Sequence, residues 1–138
     1  PVLDGLARLS EGWPTEGELG FHLCRRDADG ATPPDPLDAA QISHLAGALL
    51  GTIDRIVQFL HLPAPVAAAA AEWYAPLSRL VAWSRTEVHL GLARDDDTPE
   101  RFAARSEAAR AALRFANASA ACCAAPQAAR ALLTAEAV

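Results

Sequence analysis

Apolar side chains recur along most of the chain at the three- and four-residue intervals of an α-helix. The pattern is clearest in residues 36–62, where Asp35 can cap a helix, Pro36 can begin it, and Pro63 and Pro65 would end it. One face of that helix would carry Ile42, Leu45, Leu49, Ile53, Ile56 and Leu60. We therefore predict one long helix here, with these six side chains mostly buried.

The same periodicity predicts two further long helices. One would span about 66–94, with a kink or break near Trp73 because Pro76 cannot continue the backbone hydrogen bonding. The other would follow a cap at Thr98 and run to about residue 123, and Pro126 would begin a short fourth piece. Short loops between long helices favour antiparallel packing.

The first 36 residues differ from the rest because they are rich in glycine and proline. Val2, Leu6, Leu9 and Trp13 form a short helical stripe, whereas residues 15–26 could be helix or strand. No internal repeat of 20–50 residues stands out. The predicted fold is therefore all-α: one domain over 1–138, an antiparallel bundle of three long helices with shorter amino- and carboxyl-terminal pieces.

Composition and charge argue against nucleic-acid and membrane partners and against a disulfide-bonded fold. The formal net charge is −5, which argues against phosphate recognition by the chain as a whole. The third predicted helix carries Arg101, Arg105, Arg110 and Arg114, which could contact phosphates along one face. Glu100 and Glu107 interleave with them, so we expect no nucleic-acid partner. No apolar run has the roughly 20 residues that a membrane span needs, and three cysteines make no disulfide framework. These features predict a cytoplasmic, reduced protein with no membrane partner.

The chain carries no motif that indicates a metal, cofactor or nucleophile. On a helix, Glu87 and His89 would point about 160° apart, and His44 and His61 would lie about 25 Å apart. Adjacent Cys122 and Cys123 do not have the usual spacing of zinc ligands, so we expect them to bind no metal and not to bond to each other. No serine has the Gly-x-Ser-x-Gly context. The sequence thus predicts no metal, no cofactor and no identifiable catalytic residue.

Two glycines inside the first predicted helix are the most specific feature. Gly47 and Gly51 lie one turn apart, near Asp54 and Gln58, and each costs a helix about 1 kcal/mol relative to alanine. That cost suggests close approach of another backbone, from an amino-terminal segment or a second subunit, or of a ligand. The alternative is that the glycines lie on a neutral surface with no partner.

These observations lead to two functional hypotheses. The first is a non-catalytic helical bundle that acts by protein–protein contact, as a homo-oligomer, most simply a homodimer, or with another helical protein. The second is a small-molecule-binding protein or enzyme, with a pocket between helices around Glu87 that is lined by Trp73, Tyr74 and Trp83. The sequence favours the first hypothesis and a protein that is not an enzyme.

Glu87 lies within the apolar arc of the second predicted helix and needs a partner there. In an antiparallel hairpin centred near residue 96, Arg105 would lie at the same height as Glu87. We therefore predict a partly buried Glu87–Arg105 ion pair that fixes the register of the hairpin. The alternative is that Glu87 faces a cavity as an acid–base or ligand-binding group.

Overall fold

The structure, a computed structural model, describes residues 2–23, 38–64, 70–83, 85–94, 97–113 and 116–120. Helices and strands alternate along these residues. The elements are α1 Val2–Glu11, β1 Gly20–His22, α2 Ala39–Thr52, β2 Phe59–Pro63, α3 Ala71–Tyr74, a 3₁₀ turn Ala75–Leu77, α4 Ser78–Trp83, β3 Glu87–Ala93, α5 Pro99–Ala112 and β4 Ala116–Ala120. No helix among these residues is long and apolar enough to cross a membrane.

The strands form one four-stranded sheet in the order β1-β2-β3-β4, and every neighbouring pair is parallel. The predicted all-α bundle of three long helices is therefore wrong, and the protein is mixed α/β. Parallel neighbours need a crossover connection, and here helices lie in each crossover: α2, then α3 with α4, then α5. When consecutive strands are neighbours and all crossovers have the same handedness, the crossover helices lie on the same face of the sheet.

One buried cluster joins that face of the sheet to the helices. Leu60 and Leu62 of β2 and Val88 and Leu90 of β3 supply its sheet side, because alternate residues of a strand point to the same face. The helices and the 3₁₀ turn contribute Ala46, Leu49, Tyr74, Leu77, Phe102 and Ala109. Burial of these side chains is the main force that holds helices and sheet together.

The first predicted helix is shorter than its pattern suggested. α2 begins after Asp38, whose Oδ1 accepts a hydrogen bond from the Ala40 backbone N–H at 2.8 Å, and it ends at Thr52. The predicted cap, Asp35, lies outside the described residues. Burial is confirmed for Ile42, Leu49, Ile53 and Leu60, whereas Leu45 and Ile56 are 48% and 54% exposed. Since Ile53 and Leu60 follow the helix, one helical face cannot be the reason for their burial.

The second predicted helix is absent as a single element, and the third is present but shorter than predicted. Residues 66–94 contain α3, the 3₁₀ turn with Pro76, α4 and then strand β3, so a single helix here is wrong. The cap at Thr98 is confirmed, because its side chain accepts a hydrogen bond from the Arg101 N–H at 3.3 Å. α5 stops at Ala112, before β4, and not near residue 123. The predictions for Cys122, Cys123 and the piece from Pro126 lie outside the described residues.

Candidate functional site on the open face of the sheet

The face of the sheet away from the buried cluster is polar. We call its polar part the open face, which comprises Gly20, His22, Phe59, His61, Glu87, His89 and Asn117. Pro63 and Gly91 continue the same side of the sheet, where Gly91 is buried. His22 and Asn117 are exposed, and the side chains of His89 and Glu87 are 31% and 57% exposed. Parallel sheets usually have apolar residues on both faces because both are covered. This face instead presents groups that form hydrogen bonds.

Three histidines lie side by side across the open face, and we call them the histidine row: His22, His61 and His89. His22 pairs in register with His61, His61 with His89, and His89 with Asn117 on the fourth strand. Paired strands are about 4.8 Å apart, so in-register side chains on one face are neighbours. The His22 and His61 ring centroids are 4.3 Å apart with their planes at 65°. The row therefore places imidazole and amide groups in one continuous line.

Glu87 joins this line from the next position of its own strand. It lies two residues before His89, and its Oε1 is 3.5 Å from His89 Nε2. The same oxygen accepts a short hydrogen bond from Asn117 Nδ2. A spacing of two residues separates side chains on a helix but brings them to one face of a strand. A carboxylate beside an imidazole can orient the ring and exchange a proton with it.

Phe59 gives the open face an apolar element beside the histidines. Its ring lies over Gly20, where an added Cβ would overlap ring atoms, and it meets the His89 ring edge-on at 6.3 Å. Glycine at position 20 is thus needed for the Phe59 ring to take this place. Since Phe59 is 38% exposed, the ring also offers a surface to a bound molecule.

Gln58 fixes the strands where the open face begins. Its side-chain Oε1 accepts a hydrogen bond from the Leu19 N–H at 2.6 Å, and its own N–H donates to the Leu19 carbonyl at 2.7 Å. Its carbonyl accepts from the Glu87 N–H at 2.8 Å. Gln58 therefore ties β1 and β3 to the start of β2, whereas the sequence pattern placed it on a helix.

The predicted Glu87–Arg105 ion pair is wrong. Arg105 is buried, donates from Nη2 to the Leu92 carbonyl at 3.0 Å, and pairs closely with the buried carboxylate of Asp97. The prediction assumed that residues 87 and 105 lie at the same level of a hairpin of two helices. Glu87 instead begins strand β3, and Arg105 contacts Leu92 near the other end of that strand. Asp97 also accepts from the Arg94 N–H at 2.9 Å, so this network joins the end of β3 to α5.

Of the three aromatic side chains predicted to line a pocket around Glu87, Tyr74 and Trp73 lie in or against the buried cluster, and that of Trp83 is outside the described part of the structure. Tyr74 is fully buried in the cluster on the other face of the sheet, and the Trp73 ring meets it edge-on at 4.9 Å. Burial raises the pKa of Tyr74 to about 12, against an opposing effect of the Arg105 charge. Trp83 ends α4. Glu87 is instead beside Phe59 on the open face.

Gly47 and Gly51 line an open cleft of about 510 Å³ between α2 and α4. We call it the α2–α4 cleft. Its lining comprises Ser43, Gly47, Leu50, Gly51, Arg55, Ile56, Val57, Arg79, Leu80, Arg85 and Thr86. Asp54, the third candidate of this region, is exposed in the turn after α2 and does not line the cleft. The structure thus brings the two glycines together but separates them from the Glu87 group.

The sequence contained a signal for the histidine row that periodicity did not reveal. An apolar residue, His and Leu occur three times, as 21–23, 60–62 and 88–90, and His61, His89 and Asn117 follow at intervals of 28 residues. These are the repeated strands of successive strand–helix units. Within the described part of the chain, no three His, Cys, Asp or Glu side chains are grouped to hold a metal ion.

Comparison of the chain with profiles of known protein families, with curated proteins and with solved structures gave no match. The geometry of the site is therefore the basis on which a function is inferred.

Proposed function

We propose that the protein binds a small polar molecule on the open face of its sheet, with the His89–Glu87 pair able to exchange a proton with it. The observation that supports this function most strongly is the in-register line of His22, His61, His89 and Asn117. A line of groups on strands is held rigidly by the backbone hydrogen bonds of the sheet. Such rigidity favours recognition, because little freedom is lost when a ligand binds.

The chemistry of the line suggests the kind of ligand. A neutral imidazole donates one hydrogen bond and accepts another, the Asn117 amide does both, and the Glu87 carboxylate accepts. The exposed Phe59 ring adds an apolar surface at one side. A planar molecule with several donors and acceptors on its edge complements this arrangement, since its face can lie on Phe59 while its edge meets the polar groups.

Ring resonances of the four histidines test the proposal directly. We expect one or more of four probes, adenine, uracil, glutamine and succinate, to shift the ring signals of His22, His61 and His89 in ¹H–¹³C spectra. His44 is the internal control, because it is exposed on α2 and outside the row. The His89→Gln and Glu87→Gln variants should weaken the binding that is observed, and His44→Gln should not.

Shifts of equal size at all four histidines, or none at millimolar probe, would contradict a site on the open face. So would full binding by a His89→Gln, Glu87→Gln double variant. That variant changes partly exposed side chains and so is expected to fold.

Self-association is a second candidate function. It is the protein–protein contact that the sequence favours, now on a mixed α/β fold instead of a helical bundle. α1 has one broad apolar face that the core covers only in part: Leu3 and Leu6 pack against the core, whereas Val2 and Leu9 are 76% and 74% exposed. Exposed apolar side chains on a short helix are typical of a surface that a partner covers. Sedimentation at several concentrations should then show a dimer that a Val2→Ser, Leu9→Ser variant dissociates. A wild-type protein that remains monomeric at high concentration would exclude this candidate.

A further inference from the structure

The α2–α4 cleft has an apolar floor. Val57 and Leu80 are buried side chains of the core, Leu50 is partly buried, and Ile56 at the rim is 54% exposed. The volume of about 510 Å³ is within the roughly 300–1,000 Å³ usual for small-molecule sites.

The two glycines keep this floor clear. A Cβ added at Gly47 or Gly51 would meet nothing within 4 Å outside its own helix. Packing inside the described chain therefore does not require glycine at either position. Yet glycine is the least favourable residue after proline inside a helix. The space above the two residues is available to an occupant from outside.

Arginines surround the cleft. The Arg55 guanidinium is already hydrogen-bonded within the chain, because it donates to the carbonyls of Trp13 at 2.9 Å and Gly17 at 3.1 Å. Arg79 and Arg85 are exposed, and neither has a hydrogen-bond or ion-pair partner among the described residues. A chain with a net charge of −5 thus has a local positive edge beside an apolar floor.

We propose that the α2–α4 cleft binds an anionic amphiphile, a carboxylate joined to an apolar body. The apolar body lies on Leu50, Val57 and Leu80 in the space above the glycines. The carboxylate lies between the guanidinium groups of Arg79 and Arg85, which suit it because arginine forms paired hydrogen bonds to both of its oxygens. This site is independent of the open face of the sheet.

Octanoate and its neutral analogue octanamide test the proposal. We expect octanoate to shift the backbone amide signals of residues 47–52 and 79–83 in a saturable titration. Octanamide should bind about tenfold more weakly or worse, since two exposed ion pairs are lost. The Arg79→Gln and Arg85→Gln variants should each weaken octanoate binding by about threefold, the worth of one exposed ion pair.

A variant that fills the cleft without destabilising its helix separates loss of binding from loss of folding. Gly51→Leu should abolish octanoate binding because the new side chain occupies the floor, while the helix itself becomes more favourable. Gly5→Leu is the matched control: Gly5 also lies inside a helix with nothing within 4 Å of an added Cβ, but it is on α1 and outside the cleft. Arg8→Gln, also on α1, is the matched charge control.

Equal binding of octanamide and octanoate would overturn the assignment of an anion, and unchanged binding by Gly51→Leu would overturn the assignment of the cleft. Absence of octanoate binding at millimolar concentration would overturn both. A dimer that Gly51→Leu dissociates would instead assign the space above the glycines to a second copy of the chain.

Discussion

Tyr74 is the single tyrosine of the chain, and its burial makes a prediction about alkaline solution. Its pKa is raised to about 12, above the ordinary value of 10.0. Above pH 10 the unfolded chain releases the phenolic proton while the folded chain retains it. Folding stability should therefore be complete below pH 10 and fall by about 2 kcal/mol as the pH rises towards 12.

Absorbance at the phenolate wavelength against pH measures this ionisation, and urea unfolding at pH 8, 10 and 11 measures its effect on stability. No lysine ionises in this window, because all twelve Lys and Arg positions are arginine, whose pKa lies higher still. Tyr74→Phe should remove the loss of stability over this range. Ionisation of the native protein near pH 10 would mean that the ring is not buried.

The Asp97–Arg105 pair makes a second prediction at the scale of residues. Both side chains are buried, with 0% and 2% exposure, so removal of one leaves the other as an uncompensated charge. Asp97→Asn or Arg105→Met should each lower the free energy of unfolding by about 3–5 kcal/mol. The double variant should lose much less than the two single losses together.

Urea denaturation of all three variants measures that coupling. Glu107→Gln, an exposed position on α5, is the control and should change stability by less than about 0.5 kcal/mol. Additive losses in the double variant would contradict a direct pair.

The elements differ in how well their sequences identified them. Thr98 and Pro99 predicted the start of α5 correctly, because a cap and a first-turn proline act through their own backbone neighbours. β2 and β3 were misread as helix, because their short apolar runs also fit a helical period. Their strand character depends on pairing with residues about 28 positions away, which a local pattern does not contain.

The cap of α2 gives a prediction at this scale. Asp38 Oδ1 accepts the Ala40 N–H, one of the donors that the first turn of a helix leaves free. Asp38→Ala should lower the free energy of unfolding by about 1 kcal/mol in urea denaturation. Asp54→Ala, an exposed aspartate just after the same helix, is the matched control and should have little effect. Equal losses from both variants would mean that the cap contributes nothing of its own.

At the scale of the whole molecule, the candidate site follows from topology. His22, His61, His89 and Asn117 come from four distant segments, and only consecutive parallel strands in register place them in one line. Sequence reasoning singled out Glu87 as a carboxylate on the apolar face of a helix and assigned Arg105 as its partner, but Glu87 lies on a strand. His89 was not grouped with Glu87, because residues two positions apart lie on opposite sides of a helix. The sequence pattern thus drew attention to Glu87, but its grouping with the histidine row follows only from the sheet.

Contacts between the imidazole rings test the central claim most directly. A nuclear Overhauser spectrum of the free protein should show cross-peaks between ring protons of His22 and His61, whose centroids are 4.3 Å apart. It should also show contacts from His89 to the Phe59 ring and none from His44 to any ring of the histidine row. Absence of the His22–His61 cross-peak with both rings assigned would contradict the in-register line, and with it the open-face site.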